Sequence, residues 1–246
     1  MIALRSVLYA LFLSVITVPW AIFSLFLVFF PPVTRYDLIT AWTDAALWGA
    51  RNICGIRQQV VGLENVPEGG CIFLAKHQSR WETIAFRSLF RRVCYVYKRE
   101  LHWIPFFGWG IALLPMIPID RSSSAALDQV IERGGRRLKE GWRMVLFPEG
   151  TRVKPGSTAR YKPGGAMLAI GTGALVVPIA HNAGDCWPRD TFLKYPGTIT
   201  ISIGPAIDPR GMTPKALTRK VEHWIEGEMH ARFAHQYGAA PQGKAA

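Results

Sequence analysis

Acidic residues are scarce in this chain. Only 17 Asp and Glu offset 29 Lys and Arg across 246 residues, a net charge of +12 at neutral pH. That imbalance selects polyanionic partners: nucleic acid, an anionic lipid surface or phosphorylated substrates. Cysteine is scarce too. The four thiols, Cys54, Cys71, Cys94 and Cys186, form no C-x-x-C pair and have no histidine at metal-ligand spacing, so neither a zinc site nor a disulfide framework is supported. Cys71 and Cys94 lie in apolar strand-like runs, where a thiol acts as a small hydrophobe, in keeping with a reducing compartment. A G-x-S-x-G elbow is missing, which leaves a serine hydrolase without its nucleophile turn. With no internal repeat or low-complexity linker, the chain suits a single domain beyond its first thirty residues.

Charge is absent altogether from Ser6 to Phe30. A helix over that run reaches roughly 37 Å, enough to cross a hydrocarbon core with tilt. A cleaved signal peptide has a shorter apolar core and a small-residue cleavage site, whereas this run ends in Phe29-Phe30-Pro31-Pro32. Residues 1–32 are therefore expected to be a retained membrane anchor, and Pro19 near the middle leaves open one kinked span or a two-helix hairpin. Arg5 and the amino terminus precede the run while a basic body follows it. By the positive-inside tendency the body faces the cytoplasm, at the inner or plasma membrane if the source is bacterial.

Past the anchor, Thr34-Arg-Tyr-Asp37 has the form of a helix start, and apolar residues follow at helical spacing up to Gly55. IRQQVVGL and CIFLA read as strands separated by the Pro67-Glu-Gly-Gly turn. From there helices and apolar strands alternate: TIAFRSLF, VCYVY, ELHWIPFFGWGI interrupted at Pro105, MIPI, AALDQVIERGGRRLKEG, MVLF, GGAMLAIG, ALVVPIA and TITISIG. This pattern predicts an α/β fold, a largely parallel or mixed sheet covered by helices on both faces. A helix from about Pro214 to Phe233 follows. Residues 33–238 make the domain, and 239–246 a disordered polar tail.

Polar groups follow several strand ends, where open α/β sheets hold their ligands. In KHQSRWET, His77 directly follows the strand CIFLA, and Ser79-Arg-Trp-Glu82 has the spacing of a capping box. Read separately, His77 is an ordinary polar residue and Glu82 a cap. Read together, a carboxylate in the first turn of a helix can fold back on an imidazole just before it, hold the Nδ1–H tautomer and leave Nε2 free as a general base for an alcohol. At the end of MVLF, Phe147-Pro-Glu-Gly-Thr-Arg152 places Gly150 in a tight turn, with the Thr151 hydroxyl and the Arg152 fork suited to phosphate and Glu149 bracing the turn. Asp120-Arg121 ends another strand, and Lys98 is a further cation. Trp103, Phe106, Phe107 and Trp109 can share one apolar face, for an acyl chain, for the bilayer interface or simply as core. His102, His181 and His223 have no carboxylate in a motif with them and read as structural; Arg91-Arg92 and the set Arg133, Arg136, Arg137 and Lys139 read as solvated faces.

In order and spacing, KHQSRWE, KRELHWIPFFGWGI…IDR, FPEGTR and VVPIA resemble the four motifs of the glycerolipid acyltransferases, notably the PlsC-type 1-acylglycerol-3-phosphate acyltransferases. The resemblance covers about Val60 to Ala180. It implies transfer of an acyl chain from a thioester, acyl-CoA or acyl-carrier protein, to the sn-2 hydroxyl of lysophosphatidic acid to give phosphatidic acid, without a covalent acyl-enzyme, a metal or a bound cofactor. His77 matches the family's base and Glu82 stands where an Asp is usual. Glu149, Gly150, Thr151 and Arg152 match its acceptor-phosphate motif, and Arg121 a second basic residue on the phosphate side. Under this reading the +12 charge meets anionic phospholipid rather than nucleic acid. Another lyso-lipid or glycerol-3-phosphate as acceptor, or a lysolipid esterase, are the alternatives.

Overall fold

The computed structural model describes residues 1–105, 107–120 and 125–238, residue 107 by its backbone alone. The uncharged run forms α1, Ile2–Phe26, and Pro19 sits inside this helix without ending it. It is the one described helix long and apolar enough to cross a membrane. A short turn of 3₁₀ helix, Leu27–Phe29, leads to α2, Pro32–Thr40, and α3, Trp42–Cys54. The expected single helix starting at Thr34 is corrected on two counts. It starts two residues earlier, where Pro32 supplies the φ that a first helical turn needs, and it breaks at Ala41. On either side of the break the Thr40 and Thr43 hydroxyls donate to the carbonyls of Tyr36 and Thr40. Gly55, at φ +74°, ends α3 in the left-handed conformation.

Helices α2 and α3 fold back along α1. The Tyr9 hydroxyl donates to the Ala46 carbonyl (3.0 Å), the Trp42 indole to the Thr17 hydroxyl (3.1 Å) and the Trp20 indole to the Ile39 carbonyl (2.9 Å). The opposite face of α1 stays bare, with Leu4, Leu8, Leu11, Val15 and Phe26 all exposed.

The remaining elements are β1 (Ile56–Val61), β2 (Ile72–Ala75), α4 (Trp81–Phe90), β3 (Val93–Lys98), α5 (Phe107–Ala112), β4 (Ile117–Ile119), α6 (Ala126–Lys139), β5 (Arg143–Leu146), α7 (Gly164–Thr172), β6 (Val176–His181), α8 (Ala183–Cys186), β7 (Gly197–Ile203) and α9 (Pro214–Arg232). They alternate as expected except that α8 is added and the segment Arg99–Trp103 before α5 is 3₁₀ helix. They build one seven-stranded sheet in the order β1-β7-β6-β2-β5-β3-β4. From β6 to β4 the strands are parallel; β7 runs antiparallel to β6, and β1 parallel to β7. The sheet is mixed, with a parallel majority.

All four residues of β2 are buried, because a core lies on each side of the strand. Phe73 and Ala75 pack with Trp81, Phe86 and Phe90 of α4; Ile72 and Leu74 pack with Leu168 of α7 and Val221 and Ile225 of α9. This central strand carries His77 just beyond its end, so the parallel strands deliver their polar C-terminal loops to one rim.

The turn before β2 tests how tightly the strand is seated. Gly69 has φ +81° and open space where a Cβ would lie, whereas a Cβ on Gly70 would come within 2.1 Å of the Leu138 carbonyl oxygen at the end of α6. Gly69→Ala is expected to cost about 1 kcal/mol of backbone strain. Gly70→Ala should cost more, on the order of 3 kcal/mol, because backbone must move. Urea unfolding of the two variants side by side checks the ranking.

Candidate active site

Where β2 ends, the chain turns sharply into α4, and Glu82 holds the turn. Its Oε1 accepts the backbone N–H groups of Gln78 (2.8 Å) and Ser79 (2.7 Å), while the Ser79 hydroxyl accepts the N–H of Trp81 (3.0 Å). The expected capping box is met only in part: Glu82 returns to the Ser79 N–H, but α4 begins one residue later than expected, with Arg80 as its N-cap residue and Ser79 bonded to the first helical N–H. The carboxylate has a second oxygen, however. Oε2 lies 3.6 Å from His77 Nδ1, and both atoms are buried without another hydrogen-bond partner. One carboxylate thus caps a helix with one oxygen and faces an imidazole with the other. The separation is longer than a formed hydrogen bond, in the range that empty catalytic pairs commonly show before substrate draws them together. The ring of His77 stacks on Phe147 at 3.9 Å between centroids, so the loop after β5 fixes its plane.

His181, at the end of β6, reads from sequence as structural, and its bonds agree with that reading. Its ring bridges the Lys76 carbonyl at Nε2 (2.7 Å) and the Ala183 N–H at Nδ1 (3.2 Å). Those partners require Nε2–H and a bare Nδ1, the neutral tautomer, and full burial pushes its pKa down. It nonetheless touches the site, since Nε2 is 3.4 Å from Glu82 Oε1. Only the fold brings that contact about, for 99 positions separate the two residues in the chain.

The loop Phe147–Arg152 runs past His77. Gly150 adopts φ +70°, and a Cβ there would meet the Lys162 ammonium at 2.7 Å. Lys162 is thereby a cation of the loop that the motif itself does not announce. Thr151 is exposed and Arg152 half-buried, with one guanidinium nitrogen, Nη1, buried and unpartnered. Burial and the nearby Arg80 both disfavour the charge of Arg152, with Glu82 opposing them. Arg189, from the segment after α8, donates to the Arg152 carbonyl and pairs with Asp190. Arg189 belongs to no strand-end motif, and Arg80, though inside KHQSRWET, carries no signal that sets it apart as a site residue.

Glu149 requires a correction as a phosphate-binding residue. Its carboxylate points inward, 3% exposed, accepting the His77 backbone N–H (3.2 Å) and lying 3.7 Å from the buried ammonium of Lys76. A buried anion cannot serve as a phosphate ligand, but it does brace the turn. Desolvation raises its pKa to about 7, against the attraction of Lys76.

Lys98 is exposed at the end of β3, and Asp120, paired with Arg99, follows β4 on the same rim. Arg121 and Phe106 lie outside the described residues, and Phe107 opens α5. Trp103 is 85% and Trp109 45% exposed, so the core reading does not suit either. His102 bonds to the Tyr97 hydroxyl (2.5 Å), and His223 is exposed on α9. No group of three or more metal-ligating side chains gathers among the described residues. Two surface clefts, one at Arg51 and Arg57 beside β1 and one at Arg133 and Arg137 on α6, are lined by none of the rim residues.

A mixed α/β sheet that presents an imidazole, a buried carboxylate and several cations on one rim is the frame of an enzyme for anionic substrates. Comparison with known proteins names the class. The profile described as Acyltransferase matches residues 57–182, and the chain is 43% identical to 1-acyl-sn-glycerol-3-phosphate acyltransferase of Pseudomonas aeruginosa over 92% of its own length and 91% of that protein's. It is 28% identical to the mouse 1-acyl-sn-glycerol-3-phosphate acyltransferase alpha over 71% of this chain and 64% of that one. The crystal structure of the LPA acyltransferase PlsC from Thermotoga maritima superposes with a TM-score of 0.78 at 25% identity, covering 95% of this chain and 98% of the other. The chain belongs to the acyltransferase family.

Glu149 generates a pH prediction. Its folded-state pKa, about 7, lies above the ordinary 4.5, so folding favours its protonated form. The stability it contributes is complete below about pH 4.5 and lost as pH rises through 7. Replacing it by Gln removes that dependence. The stability of the native chain relative to Glu149→Gln should therefore fall steadily between pH 4.5 and 7, as measured by denaturant unfolding at several pH values.

Proposed function

We propose that the chain moves a fatty acyl group from a thioester donor, acyl-CoA or acyl-carrier protein, to the sn-2 hydroxyl of 1-acylglycerol-3-phosphate, giving phosphatidic acid. The observation that carries this reading is the pairing of His77 Nδ1 with Glu82 Oε2 at 3.6 Å, two buried polar atoms with no other partner. The carboxylate stabilises the Nδ1–H tautomer and leaves Nε2 as the base. Nε2 takes the hydroxyl proton while the oxygen attacks the thioester carbonyl. The tetrahedral adduct then expels the thiolate, which the imidazolium protonates, so no acyl-enzyme forms. Ser79, buried and committed to the N–H of Trp81, is a poor nucleophile for the esterase alternative.

Phosphate capture falls to the loop 150–152. The unpartnered nitrogen of Arg152, with Lys162 over Gly150 and Arg80 and Arg189 nearby, makes a concentration of positive charge that an anionic headgroup relieves. Lys98 extends the basic rim in this reading, and Arg121 keeps only the phosphate-side role that the family resemblance implies. Membrane attachment completes it. Helix α1 is bound along its length to α2 and α3, and its N-terminal end is tied to the body where the Ser6 hydroxyl accepts the Lys194 N–H (2.8 Å). These ties favour an anchor, residues 1–32, lying in one leaflet with its bare apolar face to lipid, over a span separated from the domain of residues 33–238. Trp103 and Trp109 suit the interface beside it, and the basic body suits the cytoplasmic leaflet.

His77→Ala should lower turnover of labelled acyl-CoA with lysophosphatidic acid by roughly 10²- to 10⁴-fold. Glu82→Asp should retain measurable activity and Glu82→Ala lose most of it; an Ala variant as active as the native enzyme would leave Glu82 with its capping role alone. Arg152→Ala should raise KM for the phosphorylated acceptor more than it lowers kcat, read from steady-state kinetics with the acceptor varied.

A further inference from the structure

The residue before the base is a lysine with no access to water. Lys76 is 0% exposed, among the largest fully buried side chains of the molecule. A buried ammonium persists only when anions compensate it, and two do. Its Nζ bonds to Oε1 of Glu226 on α9 (2.7 Å) and to the Ser157 carbonyl (3.3 Å), and lies 3.7 Å from Oε1 of Glu149. Glu226 is further held by the hydroxyls of Tyr161 (2.8 Å) and Tyr237 (3.4 Å). Glu149 has a single hydrogen-bonded contact outside its own loop, the His77 backbone N–H, and its second oxygen is buried without a partner. The cluster therefore joins the C-terminal helix, the loop after β5 and the backbone of the base. The Lys76 carbonyl, on the other side, receives the His181 ring, and the His77 carbonyl receives the Val153 N–H (2.7 Å).

We propose that Lys76 is a positioning residue for acyl transfer: its ammonium balances Glu149, and Glu149 in turn fixes the His77 backbone so that the imidazole keeps its distance from Glu82. The inference rests on the reading of His77 as the base. The ammonium is fully buried and so touches no substrate. Its effect is expected on the chemical step, not on acceptor binding. The charges allow a clean dissection. Lys76→Met leaves the buried carboxyl of Glu149 and the partly buried one of Glu226 with no cation between them. Lys76→Met with Glu149→Gln removes one charge of each sign, and the Gln carbonyl still accepts the His77 N–H without needing a counter-ion.

The test is steady-state kinetics with labelled acyl-CoA and lysophosphatidic acid on detergent-solubilised full-length chains, with thermal unfolding of each variant and the assay run well below every melting temperature. Lys76→Met should lower kcat by about 10²-fold, the scale of a base displaced by about an ångström, with KM for the acceptor within about threefold of native. The Lys76→Met/Glu149→Gln chain should recover most of that kcat and match Glu149→Gln alone. If Lys76→Met does not fold, the comparison of the double variant with Glu149→Gln decides: equal kcat supports the proposal, and a further large loss overturns it. Native kcat in folded Lys76→Met, or a loss expressed in KM, also overturns it. His77→Ala in the same series keeps the two readings apart, for a fully active His77→Ala would refute the base assignment whatever Lys76 does.

Discussion

The site depends on carboxylates that do structural work with one oxygen and face the imidazole's surroundings with the other. Glu82 ties two backbone N–H groups of the β2–α4 turn through Oε1 and presents Oε2 to His77. Those two bonds cannot form unless the chain leaves the sheet at the angle that also aims the imidazole at the rim. Holding the turn and orienting the imidazole are thus one geometric requirement. A shorter side chain at position 82 would have to reach the same two donors and the same ring by moving the turn. The stacking of His77 on Phe147 and the bond from its N–H to Glu149 hold the turn against the neighbouring loop.

Charge is organised by depth. Buried at the base of the rim, Lys76 is compensated by the carboxylates of Glu226 and Glu149, and the hydroxyls of Tyr161 and Tyr237 hold Glu226 in place. Above it, Arg80 and Arg189 lie close enough to Arg152 to disfavour its charge, with Glu82 and Asp190 opposing them, and Lys162 stands over Gly150 of the same loop. In the proposed reading the +12 of the whole chain favours anionic lipid over longer range, subject to salt screening. The exposed apolar face of α1 would add the short-range attraction.

Local signals carried far along the chain. The strand runs CIFLA, MVLF and ALVVPIA, the helix around Asp128 and Leu138, and the turn at Gly69 are all where period, apolarity and glycine placed them. The helix start at Thr34 failed because Pro32 offered a better first turn and because Thr40 and Thr43 bond backward to carbonyls near Ala41. Helix α8 went unread, being a single turn whose neighbours, not its sequence, stabilise it. Glu149 was misplaced for a similar reason. Within FPEGTR it reads as one of the phosphate-motif residues, and only the folding of the loop over Lys76 turns that carboxylate inward.

By itself the sequence determined the alternation that makes an α/β sheet, the apolar N-terminal helix and the strand-end polar motifs, because each depends on residues within a few positions of one another. What faces what across the rim was decided by tertiary structure alone. Lys76 meets Glu226, His181 meets Glu82, and Arg189 reaches the carbonyl of Arg152, because parallel strands distant in sequence end side by side. Pairings of that kind have no local periodicity to betray them, and they exist only once the sheet has brought the strand ends together.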